Sequence, residues 1–109
     1  MVTYKIIMSK QAKSSLRNIY NYIKENDSVQ AARKVRDGIK ETIAKLAKNP
    51  EANGPAQDLN EDTIVYRRIL KWNYRIIFKI NEDKLRVLVL EIHNMKQSTS
   101  TVKKSLGLE

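Results

Sequence analysis

Residues 63–92 read TIVYRRILKWNYRIIFKINEDKLRVLVLEI, and this stretch decides the fold. It holds three runs rich in β-branched and aromatic residues, 63–70, 74–80 and 85–92, separated by Trp72-Asn73 and by Asn81-Glu82-Asp83-Lys84. Connections this short join antiparallel neighbours, so the runs predict a meander. With Trp72-Asn73 as a two-residue turn, Lys71 pairs with Tyr74, Ile69 with Ile76, Arg67 with Phe78 and Val65 with Ile80. If Glu82-Asp83 also turns tightly, Leu85, Val87 and Val89 join that mostly apolar face. The opposite face then carries Tyr66, Arg68, Leu70, Arg75, Ile77, Lys79, Arg86, Leu88 and Leu90, a mixture of cations and aliphatic groups. A sheet face turned only to water carries fewer large apolar side chains. Something is therefore expected to cover part of it: the tail after His93, a protein partner or a substrate. Arg67 conflicts with its apolar face, and the expectation is that its stem packs while the guanidinium reaches Glu91 or the sheet rim.

Upstream, residues 2–8 are short, apolar and β-branched and read as a strand. Ser9 is placed to cap a helix. Ala12, Leu16, Ile19, Tyr20 and Ile23 then recur at helical spacing, with Lys10, Lys13, Arg17 and Lys24 mostly off that stripe. Asn26-Asp27-Ser28 breaks the pattern, and Asp27 with Gln30 resembles a capping box. Ala32, Val35, Ile39, Ile43 and Leu46 give a second helix, which Asn49-Pro50 ends. Residues 51–62 have no periodicity, contain Gly54-Pro55 and read as a loop. The predicted class is α+β, in the order β-α-α-β-β-β: an antiparallel sheet with a helical hairpin packed on one face. Residues 1–96 are expected to form one domain and residues 97–109 a tail.

Composition narrows the function. The chain has 109 residues, no cysteine and one histidine, so thiolate and His-cluster metal sites are out. The longest purely apolar run, Val87 to Leu90, cannot span a membrane, and the N-terminal apolar run is too short for a signal peptide. A cytoplasmic protein is the expectation. Lys and Arg number 21 against 12 acids, a formal charge of +9. Residues 63–104 hold ten of the cations and only three acids. Such a field favours anionic partners, nucleic acid or an acidic protein.

The first helix with Ser9, Ala12, Leu16, Ile19 and Tyr22-Ile23, then Ala31-Ala32, then Leu46 to Pro50, resembles the ParE branch of the ParE/RelE toxin superfamily. The run Tyr66-Arg67-Arg68 followed by Tyr74-Arg75-Ile76-Ile77-Phe78 is similar to that family's β-hairpin, and Ile92-His93 to the end of its last strand. The resemblance implies the toxin half of a bacterial type II toxin–antitoxin pair, neutralised by a cognate antitoxin whose C-terminal segment wraps it. Two targets follow from it. ParE-like members inhibit DNA gyrase without known catalysis; RelE-like members bind the ribosome and cleave mRNA.

Cleavage of the RelE kind needs no metal or other cofactor: the ribose 2′-OH attacks its own phosphate, and the protein moves two protons and stabilises the phosphorane. By resemblance, Arg68 and Arg75 occupy basic positions of RelE-like members and Lys96 lies near a third. His93 is the side chain whose unperturbed pKa lies near neutrality. Tyr66, however, stands where RelE-like enzymes carry a lysine, and no tyrosine follows Lys96. Arginine is a poor proton acceptor, which leaves the base to His93 or a lysine. Gyrase inhibition is the reading placed first, the ribosome-dependent endonuclease second, and a non-toxic RNA- or protein-binding module third. Trp72, at a hairpin tip, suits a contact site. With Tyr66, Arg68, Arg75, Leu88 and Leu90 it makes the expected surface for target or partner. The plain structural readings are a salt-bridged Arg75 and a hydrogen-bonded His93.

Overall fold

A computed structural model describes residues 2–59 and 65–96, together with Lys104 and Leu106. Strand β1 (Lys5–Met8) leads into helices α1 (Lys10–Asn26) and α2 (Val29–Ala44). Three short 3-10 turns follow, at Lys45–Ala47, Pro50–Ala52 and Gln57–Leu59. Strands β2 (Arg67–Lys71), β3 (Tyr74–Asn81) and β4 (Arg86–Asn94) complete the sheet. The strand order is β1-β4-β3-β2. The meander β2-β3-β4 is antiparallel, as its short connections require. β1 joins the outer side of β4 in parallel, so the sheet is mixed. Parallel neighbours need a long connection, which the helices and the other two strands between β1 and β4 supply.

Both helices begin on a serine. Ser9 accepts from the Ala12 amide at 3.0 Å and its own hydroxyl donates to the Leu90 carbonyl, fixing the start of α1 to β4. The second cap is Ser28, which accepts from the Ala31 amide at 3.0 Å. The expected Asp27 capping box is not formed: Asp27 closes α1, its amide donating to the Ile23 carbonyl. α2 tightens into a 3-10 turn at Lys45, and Asn49 takes a left-handed conformation (φ 55°) before Pro50. That conformation suits asparagine and turns the chain where proline forbids more helix.

The hairpin register is the expected one, with Lys71 opposite Tyr74, Ile69 opposite Ile76 and Arg67 opposite Phe78. The second connection differs. Asn81 pairs with Arg86, so the turn has four residues, Glu82 to Leu85, and Leu85 sits in it at φ 52°, 40% exposed. The longer turn moves β4 by two residues, which keeps Val87 and Val89 on the helix-facing side and removes Leu85 from the core. A bulge opposite Ile77 and Phe78 leaves Leu90 without a partner: Phe78 pairs with Val89, and Ile77 with Glu91. The extra residue resets the alternation. Ile92 therefore reaches the same core as Val89. Glu91, buried, turns its carboxylate to α1, where Ser15 and Gln11 donate to it.

The main core joins Leu16, Ile39, Ile43 and Leu46 of the helical layer to Ile76, Phe78, Val87, Val89 and Ile92 of the sheet. Each such side chain, fully buried, contributes on the order of 1.5–3 kcal/mol. A second cluster lies on the far side, where Ala56, Leu59, Tyr66 and Ile77 pack together with Leu90 and Leu106. The chain thus covers part of the mixed face itself. Residues 54–56 also close the β2 edge: Pro55 bridges to Arg67, the Arg68 amide donates to the Gly54 carbonyl, and the Ala56 amide to the Tyr66 carbonyl. Arg67 reaches the rim, donating to the carbonyls of Asn53 (2.9 Å) and Glu51 (3.3 Å); Glu91 is not its partner. Among the described residues no helix is long and apolar enough to cross a membrane. Most of the expected tail lies outside the described residues.

Candidate functional site

Arg75 and His93 face each other across β3 and β4. The Arg75 Nε donates to His93 Nε2 at 2.7 Å. Its two terminal nitrogens grip Asp58 as a fork, at 2.8 and 3.0 Å. A bidentate arginine–carboxylate pair is both strong and directional. Asp58 comes from the 3-10 turn Gln57–Leu59, so one guanidinium ties the sheet to the loop that covers it.

The arrangement fixes the state of His93. Its Nε2 accepts from Arg75, so the ring proton sits on Nδ1, which donates to the Asn94 carbonyl at 2.9 Å. Burial pushes the imidazole below its ordinary pKa of 6.5; the hydrogen bond to the Asn94 carbonyl opposes this, the nearby Arg75 charge adds to the lowering, and Glu91 and Asp58 pull weakly back. The imidazole is neutral with both nitrogens engaged. For proton transfer to a substrate, Arg75 must first leave Nε2. For Arg75 to hold a phosphate with its fork, Asp58 must first move away.

The other expected residues do not gather at one place. Arg68 is half-buried on β2, with a guanidinium nitrogen 3.9 Å from where a side chain on Gly54 would begin. Lys96 is exposed in the turn after β4, its amide held by Asn94. Tyr66 is only 5% exposed inside the second cluster, so it offers a partner little surface. Leu90 is half-buried against that cluster. Leu88 lines a groove of about 720 Å³ on the far face, with Ile7, Val65 and Ile80 and the cations Lys79, Lys84 and Arg86. Trp72 holds the hairpin tip at φ 52° and is half-exposed, with the Lys71 ammonium 4.6 Å from its ring centre. Leu70 beside it is exposed as well.

Asp58 was not among the residues the sequence pointed to. It lies in an aperiodic loop 17 residues from Arg75, and nothing local marks it. Among the described residues no cluster of His, Asp and Glu could hold a metal ion.

Comparison with known proteins bears on the fold and the family. The family model described as the ParE toxin of the type II toxin–antitoxin system parDE matches residues 6–98. A search of curated proteins finds no match. Among solved structures, the chromosomal ParDE system of P. aeruginosa superposes with a TM-score of 0.69 at 16% identity, covering 84% of this chain and 96% of that one. The free E. coli RelE toxin, as a mutant, gives 0.61 at 18% identity, covering 94% and 98%. The RelBE2 complex of Mycobacterium tuberculosis gives 0.60 at 17%, covering 86% and 93%. At such identities the structures speak for the fold, and the family model for membership. With that match spanning nearly all of the described sheet and both helices, the chain belongs to the ParE toxin family of type II toxin–antitoxin systems, within the ParE/RelE superfamily.

Proposed function

We propose that this toxin works in the cytoplasm by binding rather than by catalysis, inhibiting DNA gyrase in the ParE manner until a cognate antitoxin sequesters it. The observation that carries this reading is the closed Asp58–Arg75–His93 cluster. Every group there suited to RNA cleavage already holds another. Surfaces that stay open on the sheet include the Leu70–Trp72 tip and the groove beside Ile7 and Leu88. The tip, a large aromatic on a tight turn, suits a protein target. The groove runs alongside β1, whose outer edge has no strand partner among the described residues, and an extended antitoxin segment would fit there. The test is a gyrase supercoiling assay with the purified chain, run with Trp72→Ala beside it. Inhibition that weakens in the folded variant is expected. Undisturbed supercoiling at a large excess of toxin overturns the proposal.

One observation favours a second reading. The sequence left the base for RNA cleavage to His93 or a lysine, and the structure adds the Asp58 carboxylate, held by the same Arg75 that holds His93. Were the loop to open on a ribosome, Asp58 could accept the 2′-OH proton while Arg75 met the phosphate. Primer extension on mRNA from a reconstituted translation reaction separates the readings: codon-phased cuts belong to the endonuclease, intact mRNA to the inhibitor.

A further inference from the structure

A groove of about 420 Å³ opens where the helical hairpin meets the end of β1. Its floor is Met8, Leu16 and Tyr20, and its walls are Lys13 and Arg17 of α1 and Arg36 and Lys40 of α2. Every charged residue that lines it is a cation. Lys13, Arg17, Tyr20 and Lys24 follow one another at four, three and four residues, so they form one stripe on α1. Lys10 extends the stripe, which then runs about 21 Å at 1.5 Å per residue. Arg33, Arg36 and Lys40 form the facing stripe on α2. Two acids adjoin these walls in sequence, Asp37 after Arg36 and Glu41 after Lys40; neither lines the groove, and Asp37 pairs with Arg36 at 3.0 Å in a partly exposed bridge.

We infer that this groove binds the phosphate backbone of duplex DNA, the two stripes each following one strand across a groove of the duplex. The two helices pack side by side, so both cationic stripes border one groove. A single strand needs one cationic row and free aromatic faces on which bases stack. Tyr20 does not offer such a face, since Arg36 lies 5.1 Å and Lys24 5.8 Å from its ring centre. Lys13, Arg17 and Lys40 are exposed and available to phosphates. The inference stands apart from the gyrase reading, because it concerns the toxin and DNA alone.

The test is fluorescence anisotropy of a labelled 30-base-pair duplex titrated with the full purified chain from 50 to 200 mM KCl. Each phosphate neutralised adds roughly 0.9 to the slope of log affinity against log salt. The triple variant Lys13→Gln, Arg17→Gln, Lys40→Gln should bind at least tenfold more weakly and lose about two to three units of slope, with unchanged helical circular dichroism. A control of equal charge loss away from the groove, Lys5→Gln, Lys48→Gln, Lys79→Gln, should keep most of both. Absence of duplex binding at 50 mM salt overturns the inference, as does an equal loss in the two variants. Tighter binding of a single strand, or of a glutamate-rich amphipathic peptide, overturns it too and reassigns the groove.

Discussion

Trp72 lies against Gly38: a methyl group on that glycine would clash with the indole Cη2 and come within 2.7 Å of Cζ3. The β2–β3 hairpin tip is thereby docked on the middle of α2. Both residues sit where their types are disfavoured. Trp72 takes a positive φ at a turn position that glycine usually fills, and Gly38 interrupts a helix. Each exception accommodates the other.

Gly38→Ala should accordingly destabilise the fold by about 1–3 kcal/mol, because overpacking outweighs the ~1 kcal/mol that alanine gains in helix propensity. In a Trp72→Ala background the same change should become neutral or stabilising. Urea titrations of the four members of this cycle measure the reversal, and the same sign in both backgrounds would refute the contact.

Breaking the Arg75 fork should loosen the covering loop. Asp58→Asn leaves a largely buried guanidinium without its carboxylate and should cost about 1–3 kcal/mol. Hydrogen exchange should rise at the Ala56 and Leu59 amides, which hold the loop to Tyr66 and Ala56. Unchanged protection at both would show that the loop is held without the ion pair.

His93 makes stability depend on pH in a defined direction. The folded state keeps the imidazole neutral to below its usual pKa, so between that lowered value and about 6.5 the unfolded chain binds more protons. The stabilisation is present above about 6.5 and is lost as pH falls through the folded-state pKa. His93→Gln should remove this part of the slope of unfolding free energy against pH, measured from pH 7.5 to 5. An identical slope in the variant would mean that other groups carry it.

The second helix cap is a clean contrast. Ser28→Ala should cost about 1 kcal/mol, whereas Asp27→Ala should cost much less, since only the serine hydroxyl meets an orphan amide of α2. Thermal unfolding of the two variants decides it.

The helical hairpin and the first strand pairing could be read from the sequence because both are local. Leu16 and Ile39 recur with their neighbours at the helical period, and Trp72-Asn73 sets a register that alternation then carries outward. The bulge at Leu90 could not be read, because an unpaired residue changes no local pattern while reversing the facing of all that follows. The place of β1 was equally hidden: its partner β4 lies some eighty residues on, with Ile6 opposite Val87. At the site, Arg75 and His93 were visible as candidates, but the group that closes them was not. Asp58 is recruited by a fold that brings an aperiodic loop over the sheet, and such contacts leave no trace in spacing.

The parallel pairing of β1 with β4 has a consequence for when this protein becomes itself. The first strand made waits on the last one, and Val87, Val89 and Ile92 supply much of the surface on which both helices rest. Contacts so distant along the chain form late and slowly. Until β4 has been synthesised, a growing chain has its helices but not the sheet that orders them. The toxin fold therefore assembles only once β4 has been made, and a chain that stops before β4 lacks both the partner of its first strand and much of the surface under its helices.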